Sequence, residues 1–390
     1  MRFSGAVKRT RMLGVDAARG VALVGLMIIH ILSGTNDDDG PTVLWTIFAG
    51  HSAALFALLA GVSLAFISGG QHPVKGPALR ATRWSVAVRA GLITALGLSI
   101  AYIDTPPSII LAYYGVMFML AIPLLRLSAK SLAFLAAGLA VVGPLAVQAL
   151  RDFLPEPGSD PTFTTLFTEP DVLFSQLLLT GEYPALPYMA YLCAGLALGR
   201  LDLSSRMVQI RVALTGLILT IASWLFSVVL LGPLGGMSRL LESSPEMSAD
   251  IIDEMLIWGP EEYLPTTSLW WHAVVAPYST TILEMVNTTG TSIAALGLIL
   301  LLARLTTEPL MPLVAMGSMT LTLYSAHLII LATGFLEDQS DASLIVQIAV
   351  AALFASLWRR IHDHGPLESL IATATRRTRT RLSGKSSIAG

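Results

Sequence analysis

The sequence predicts an all-α, polytopic integral membrane protein: a bundle of about ten transmembrane helices with both termini in the cytoplasm. Three observations lead to this fold class. Hydrophobic residues make up 54% of the 390 residues and charged residues only 13%, whereas soluble domains are about 25% charged. The mean hydropathy is +0.69. The apolar residues also form continuous runs of about 20 residues, the length that crosses roughly 30 Å of hydrocarbon as a helix.

Each apolar run is expected to be helical, because only a helix satisfies its own backbone hydrogen bonds within lipid. In chain order the predicted spans are 14–33, 43–68, 84–103, 108–125, 131–150, 183–200, 208–231, 279–303, 310–334 and 342–358. We therefore place the membrane domain at 1–362 and a basic cytoplasmic tail at 363–390.

The positions of the basic residues predict the orientation of these spans. With the N-terminus inside, twenty of the 24 Lys and Arg residues fall in cytoplasmic segments, and only Arg151 and Arg239 fall in the outer segments. Lys and Arg in short loops orient membrane proteins in this way. Segments rich in Lys and Arg alternate with segments poor in them along the whole chain. This alternation supports ten spans and two cytoplasmic termini.

Charge and cysteine content exclude other protein classes. The formal net charge of −2 argues against a nucleic-acid binder that acts through bulk charge. The single cysteine, Cys193, excludes an internal disulfide framework and a cysteine-based metal site. Paired histidines with metal-ligand spacing are also missing from the sequence, so we expect no metal cofactor.

Four ionisable residues are predicted at a similar depth, in the outer half of four spans. They are His30, His51, His327 and Glu284. Charged groups in a span are costly, roughly 2.5–3.5 kcal/mol each on insertion scales, and are therefore candidates for function. One interpretation is a polar chamber that opens outward, in which a histidine acts as general base or proton relay and Glu284 orients it. The alternative is that these groups cross-link helices by hydrogen bonds.

A second group of charged residues is predicted at the cytoplasmic end. Asp16 and Arg19 lie three residues apart in the first span and can pair. With Arg80, Arg83 and Arg89 they could form a binding site for the phosphates of an anionic donor, because the guanidinium group of arginine matches phosphate geometry. The alternatives are an ion pair that anchors the first helix, and arginines that only determine topology.

Several segments, in consistent order from residue 11 to 377, resemble the YeiB-like bacterial membrane family, which is related to the catalytic domain of heparan-α-glucosaminide N-acetyltransferase. The segments are RMLGVDAARGVALVGLMIIH (11–30), HSAALFALLAGVSLAF (51–66), IILAYYGVMFMLAIPLLRLS (109–128), APYSTTILEMVNTTGTSIAALGLILLLAR (276–304), PLVAMGSMTLTLYSAHLIIL (312–331) and HGPLESLIATATRR (364–377).

The resemblance implies a transmembrane acyltransferase-like fold for 1–362, with cytosolic acyl-CoA as co-substrate. Asp16, Arg19 and Gly20 match the first-helix motif of the family. In the heparan enzyme, the histidine proposed to accept the acyl group lies between spans 1 and 2. Here that loop reads SGTNDDDGPT and contains no histidine. Direct transfer with a histidine as general base is therefore favoured over an acyl-histidine intermediate.

We thus expect an enzyme that moves an acyl group from acyl-CoA to a hydroxyl or amine of an envelope glycan or lipid, in a bacterial plasma membrane. Membrane lipids are further expected partners, and a homo-oligomer is left open. The alternative function is a proton-coupled transporter of a small solute, since buried His and Glu also suit such a carrier. A non-catalytic membrane scaffold is the third hypothesis.

Overall fold

The computed structural model describes residues 12–261 and 263–384. Within that part the chain is helical, and its one isolated bridge joins Thr35 to Pro41. The α-helices of the described part are α1 Leu13–Ile31, α2 Val43–Phe48, α3 His51–Ile67, α4 Gly76–Ile100, α5 Leu111–Ala121, α6 Ala129–Leu150, α7 Phe163–Thr168, α8 Pro170–Ser175, α9 Ala185–Leu198, α10 Arg206–Leu231, α11 Gly236–Ser243, α12 Ala249–Trp258, α13 Ile282–Leu305, α14 Met311–Gly317, α15 Thr320–Ala332, α16 Ser340–Trp358 and α17 Pro366–Gly384.

Four short turns of other helix types complete the secondary structure. Three are 3₁₀ segments, at Ile122–Arg126, Arg151–Phe153 and Leu269–Ala273, and the fourth is a π-helical turn at Gln176–Thr180. The first of them continues α5 after its last α-helical turn, where Pro123 removes a backbone donor.

Every predicted span coincides with a helix or a pair of helices, but the count of ten membrane crossings is not confirmed. Six segments of the described chain are long and apolar enough to cross a membrane: α1, α2–α3, α6, α10, α13 and α16. A seventh is α14–α15 if that pair is one span, although it bends by 84° at its break. The protein is therefore a multi-pass helical membrane bundle.

The remaining predicted spans differ from simple crossing helices for identifiable reasons. Helix α9 has only 14 residues and is buried along almost its whole length, as expected for a helix in the centre of a bundle. Helix α5 is short and ends in the 3₁₀ turn. Helix α4 has 25 residues, but three arginines interrupt its apolar surface: Arg80, Arg83 and Arg89.

Close backbone contacts at glycines hold the bundle together. Helices α3 and α9 meet where Gly61 faces the Leu192 carbonyl and Gly195 faces the Leu58 carbonyl. A Cβ atom at either glycine would overlap the facing backbone. Small residues at such crossings let membrane helices approach closely. Helix α9 is thereby locked against α3 in the interior.

The bundle has two chemically different ends. The basic end is where α1, α4, α6 and α10 begin and where α3, α9 and α13 finish. Arg200 there joins the last turn of α3 to the turn after α5, and Arg304 joins the end of α13 to Gln209 of α10. The opposite, loop end carries the two long connections, 151–184 and 232–281.

The loop end folds into a cap rather than two free loops. Helices α11 and α12 pack over a small core in which Leu240, Ile252 and Trp271 are almost fully buried. Helix α12 is amphipathic. Its buried residue Ile252 faces this core, while Ile251 and Ile257 stay exposed.

The described part of the C-terminal tail forms α17, which packs along α4. Its residue Glu368 accepts hydrogen bonds from the backbone N–H groups of Leu321 and Thr322 at 2.8 and 3.2 Å, and from the Thr322 hydroxyl at 2.6 Å. The tail is thus bound to the first turn of α15, immediately after the break between α14 and α15.

Candidate active site

Two of the three candidate histidines meet inside the bundle. His30 lies in the last turn of α1 and His327 in α15. The Nδ1 atom of His30 is 3.2 Å from Nε2 of His327. Their rings stack with centroids 5.4 Å apart and planes 10° apart. His327 is only 2% exposed, whereas His30 is partly accessible. His30 is therefore the more accessible member of the pair.

Gln347 of α16 determines which nitrogen of each ring carries hydrogen. The Gln347 Nε2 group donates to the Ser343 hydroxyl at 3.1 Å, so its Oε1 atom faces Nδ1 of His327, 2.8 Å away. An amide oxygen only accepts, so the Nδ1 atom of His327 carries the hydrogen. In neutral His327 the Nε2 atom then accepts from the Nδ1–H group of His30. This leaves the Nε2 atom of His30 with a free lone pair, as a general base requires.

A second polar cluster surrounds Glu284 and His51. Glu284 is 5% exposed and its carboxyl group lies beside the hydroxyls of Tyr191 and Thr288. Those two hydroxyls are 2.7 Å apart. His51 Nδ1 is 2.9 Å from the hydroxyl of Thr291 on the same helix as Glu284. Within the described residues, no hydrogen bond joins Glu284 to a histidine.

Glu284 therefore does not occupy the orienting position that the sequence suggested for it. In the structure Gln347 orients His327. Sequence reasoning missed Gln347, although a lone Gln with a Ser four residues before it in an apolar span was a usable signal. It also missed Tyr324, whose ring lies 6.5 Å from that of His30 and whose hydroxyl accepts from the Ile110 N–H group at 3.5 Å.

A line of tyrosines connects the loop end with the Glu284 cluster. Tyr113, Tyr183, Tyr188 and Tyr191 meet edge to face in that order, with successive ring centroids 5.8, 5.8 and 5.1 Å apart. All four are buried. This arrangement gives the interior an amphipathic wall, because tyrosine offers an apolar face with a polar edge.

Two carboxyl groups and a strained turn lie at the loop end near this wall. Burial raises the pKa of Asp160 above its usual value, although the Ile109 N–H group bonds to both of its oxygens at 3.1 Å. Burial, followed by repulsion from Asp160, raises the pKa of Glu182. Tyr278 and Thr280 have φ angles of 58° and 50°. Such left-handed backbone outside glycine is concentrated at functional sites.

The residues predicted to bind the donor phosphates are partly brought together at the basic end. Arg19 pairs with Asp16 at 2.8 Å and also donates to the Ser63 hydroxyl. Arg89 lies within electrostatic range of Arg19 and of Glu368, and its guanidinium stands 5.8 Å from the Phe118 ring centroid. Asp16, Arg19 and Arg89 thus lie in one region.

The other two predicted donor-site arginines, Arg80 and Arg83, lie on the part of α4 that precedes Arg89. Arg80 is exposed and Arg83 is half-buried. Arg80 lies nine residues before Arg89, which is roughly 13 Å along a helix. The described residues contain no group of three His, Cys, Asp or Glu that could hold a metal ion.

Comparison with known proteins gives two family matches. The profile described as Heparan-alpha-glucosaminide N-acetyltransferase, catalytic, matches residues 11–225. The profile described as Protein of unknown function (DUF418) matches residues 254–378. A search of curated proteins found no match. The first match covers more than half of the chain and contains α1 with the Asp16–Arg19 pair. The chain therefore belongs to the heparan-alpha-glucosaminide N-acetyltransferase catalytic-domain family, as a YeiB-like member.

Proposed function

We propose that this protein is a membrane acyltransferase that moves an acyl group from cytosolic acyl-CoA to a hydroxyl or amine of an extracytoplasmic glycan or lipid. The observation that carries this proposal is the chain from Gln347 through His327 to His30, in a protein of an acetyltransferase family. The proposed setting is a bacterial plasma membrane, with both termini cytoplasmic and the loop end outside.

In the proposed reaction, the acceptor O–H or N–H group attacks the thioester carbonyl while His30 Nε2 takes its proton. His327, held by Gln347, shares the positive charge that develops on His30. The tetrahedral intermediate then collapses, the C–S bond breaks, and the proton on His30 passes to the departing CoA thiolate. The products are the acylated acceptor and free CoA, so the histidine is regenerated and no redox partner is needed.

The two ends of the bundle supply the proposed approach routes. Arg19 and Arg89 would attract the phosphates of acyl-CoA from the basic end. The acceptor would enter from the loop end along the tyrosine wall, where the carboxyl groups of Asp160 and Glu182 offer hydrogen bonds to sugar hydroxyls. His51 and Glu284 would then line the acceptor side.

The test uses full-length protein in nanodiscs with acetyl-CoA or a longer acyl-CoA and a panel of sugar and amino-sugar acceptors. Released CoA thiol reports turnover, and thermal stabilisation reports donor binding. We expect His30→Ala to lower turnover by about 10²–10⁴-fold, the usual contribution of general base catalysis, while donor binding persists. The matched control is His364→Ala, because His364 is exposed and lies outside the site. Equal turnover in the two variants would reject His30 as the base.

One observation favours a second candidate, a proton-coupled carrier of a small solute. Helices α14 and α15 meet at a break where the chain bends by 84°, and His327 lies two turns after the start of α15. Discontinuous helices mark substrate sites in many transporters. Uptake into proteoliposomes that depends on a proton gradient, in the absence of acyl-CoA turnover, would select this function.

A further inference from the structure

A chamber opens at the basic end, apart from the histidine pair. It lies between the turn that joins α3 to α4 and the turn that joins α5 to α6, and its volume is about 600 Å³. Three cationic side chains line it: Lys75, Arg126 and Arg200. None of the described residues that line it is acidic. We call it the basic cleft.

Arg200 builds the wall of the basic cleft. It is 5% exposed, and its guanidinium donates to the carbonyls of Ala65, Gly70 and Leu125 and to the Ser68 hydroxyl, at distances between 2.5 and 3.1 Å. Its Nε–H group is buried without an acceptor in the described structure. A buried charge surrounded by neutral acceptors keeps its positive potential, because no carboxylate cancels it.

Lys75 and Arg126 add two exposed charges at the rim. Neither forms an ion pair with a carboxylate in residues 12–261 and 263–384. Both are therefore available to an anion from solution or from a membrane surface.

Two helices also begin at the basic cleft, α4 at Gly76 and α6 at Ala129, and both residues line it. The N-cap residue of α4 is Lys75, whose side chain makes no capping hydrogen bond. At α6 the Ser128 hydroxyl accepts from the Ser131 N–H group at 3.2 Å and lies 3.0 Å from the Ser131 hydroxyl, so it serves one backbone N–H group. Other first-turn N–H groups of both helices thus lack an intrahelical acceptor. Each N-terminus adds about half a positive charge, and such termini bind phosphate.

We propose that the basic cleft binds a phosphate-bearing ligand. The chemistry matches a multiply charged phosphate, since two helix N-termini and three cations converge on one volume without a counter-ion. The volume exceeds that of a single phosphate, and the apolar flank of Val74 and Leu79 fits the neighbouring part of a larger molecule. A phospholipid headgroup and a soluble nucleotide phosphate share this chemistry. The inference does not depend on acyl transfer.

The test measures binding rather than turnover. Full-length protein in neutral phosphatidylcholine nanodiscs is compared with protein in nanodiscs that contain phosphatidylglycerol, and separately titrated with adenosine 3′,5′-bisphosphate. Thermal stabilisation at low and high salt is the readout. We expect stabilisation in one of the two arms, weakened by salt. The arm that responds identifies the source of the phosphate.

The double variant Lys75→Gln/Arg126→Gln should bind that probe at least tenfold more weakly, with an unchanged melting temperature in its absence. The matched control is Lys130→Gln, because Lys130 is an exposed cation in the first turn of α6 that lies over the Phe134 ring and does not line the cleft. Should the double variant unfold, the single variant Arg126→Glu replaces it. The proposal is overturned by equal binding in variant and control, or by a folded wild type that neither probe stabilises.

Discussion

At the residue scale, the chemistry of the site depends on which atoms face each other. His30 and His327 are 297 positions apart in sequence, yet their ring nitrogens are 3.2 Å apart. A side chain that was not predicted, Gln347, determines the tautomer of both. The candidate base is therefore the more accessible end of a hydrogen-bonded chain. Its far end is fixed by an amide that in turn bonds to Ser343.

Gln347 is expected to be a positioning residue. In Gln347→Leu the Nδ1–H group of His327 loses its acceptor, and His327 can adopt the tautomer that no longer accepts from His30. We expect acyl transfer to fall by about tenfold or more, on the scale of general base effects. Gln347→Glu keeps an acceptor and should restore turnover, with the acidic limb of its pH–rate profile moved to higher pH, because a carboxylate favours the protonated form of the histidine pair. A merely structural role would leave that profile unchanged in both variants.

Asp160 makes stability depend on pH in a defined direction. Burial raises its folded-state pKa above the ordinary value of 3.8. A raised pKa means that the folded protein holds the proton more tightly than the unfolded chain. The contribution to stability is therefore complete below pH 3.8 and is lost as pH rises through the folded pKa.

We expect Asp160→Asn, which cannot ionise and keeps one acceptor for Ile109 N–H, to gain stability relative to the wild type as pH rises from 3.8 toward neutrality. Melting curves in detergent between pH 3.5 and 7 measure this difference. The control is Asp152→Asn, because Asp152 is exposed. A difference between wild type and Asp160→Asn that stays constant with pH would contradict the assignment.

At the element scale, the break between α14 and α15, the short helix α9 and the returning helix α17 depart from a bundle of straight transmembrane helices, and these departures position residues near the site. The break between α14 and α15 starts a new helix one turn before Tyr324 and two turns before His327. Helix α9 is too short to cross lipid unaided and lies buried in the centre. Helix α17 returns from the tail to bring Glu368 to the first turn of α15. The carboxylate there complements the positive end of that helix.

Glu368→Ala should loosen the start of α15. It removes acceptors for two backbone N–H groups and one hydroxyl, and loss of a helix cap costs about 1 kcal/mol. Hydrogen exchange of residues 320–324 should rise, and the melting temperature should fall by a few degrees. Glu337→Ala is the matched control, since Glu337 is an exposed carboxylate. Unchanged exchange in Glu368→Ala would show that α15 does not depend on the tail.

At the scale of the whole molecule, the structure separates two ends with different electrostatics. The basic end joins the arginines of α1 and α4 with the basic cleft, and the loop end holds the carboxyl groups of Asp160 and Glu182. The interior between them contains the histidine pair and the tyrosine wall. This polarity suits a reaction whose two substrates arrive from opposite sides of a membrane.

The orientation can be tested with the single native cysteine removed. In a Cys193→Ala background, Glu246→Cys places a thiol at the loop end and Asp202→Cys places one at the basic end, both at exposed positions. An impermeant maleimide added to intact cells should label the Glu246 position and not the Asp202 position. Permeabilised cells, in which both react, are the control. The reverse labelling pattern would invert the proposed topology.

The sequence by itself determined the helical membrane fold, the positions of its helices, the distribution of basic residues between segments and the family of the chain. These depend on local properties, because a run of apolar residues forces a helix in lipid wherever its neighbours lie. Only the tertiary structure decided that His30 meets His327 rather than His51, that Gln347 orients the pair, that α14 and α15 are broken, and that Glu368 and the basic cleft organise the basic end. Those contacts join residues distant in sequence, and hydropathy along one chain carries no information on which helices become neighbours.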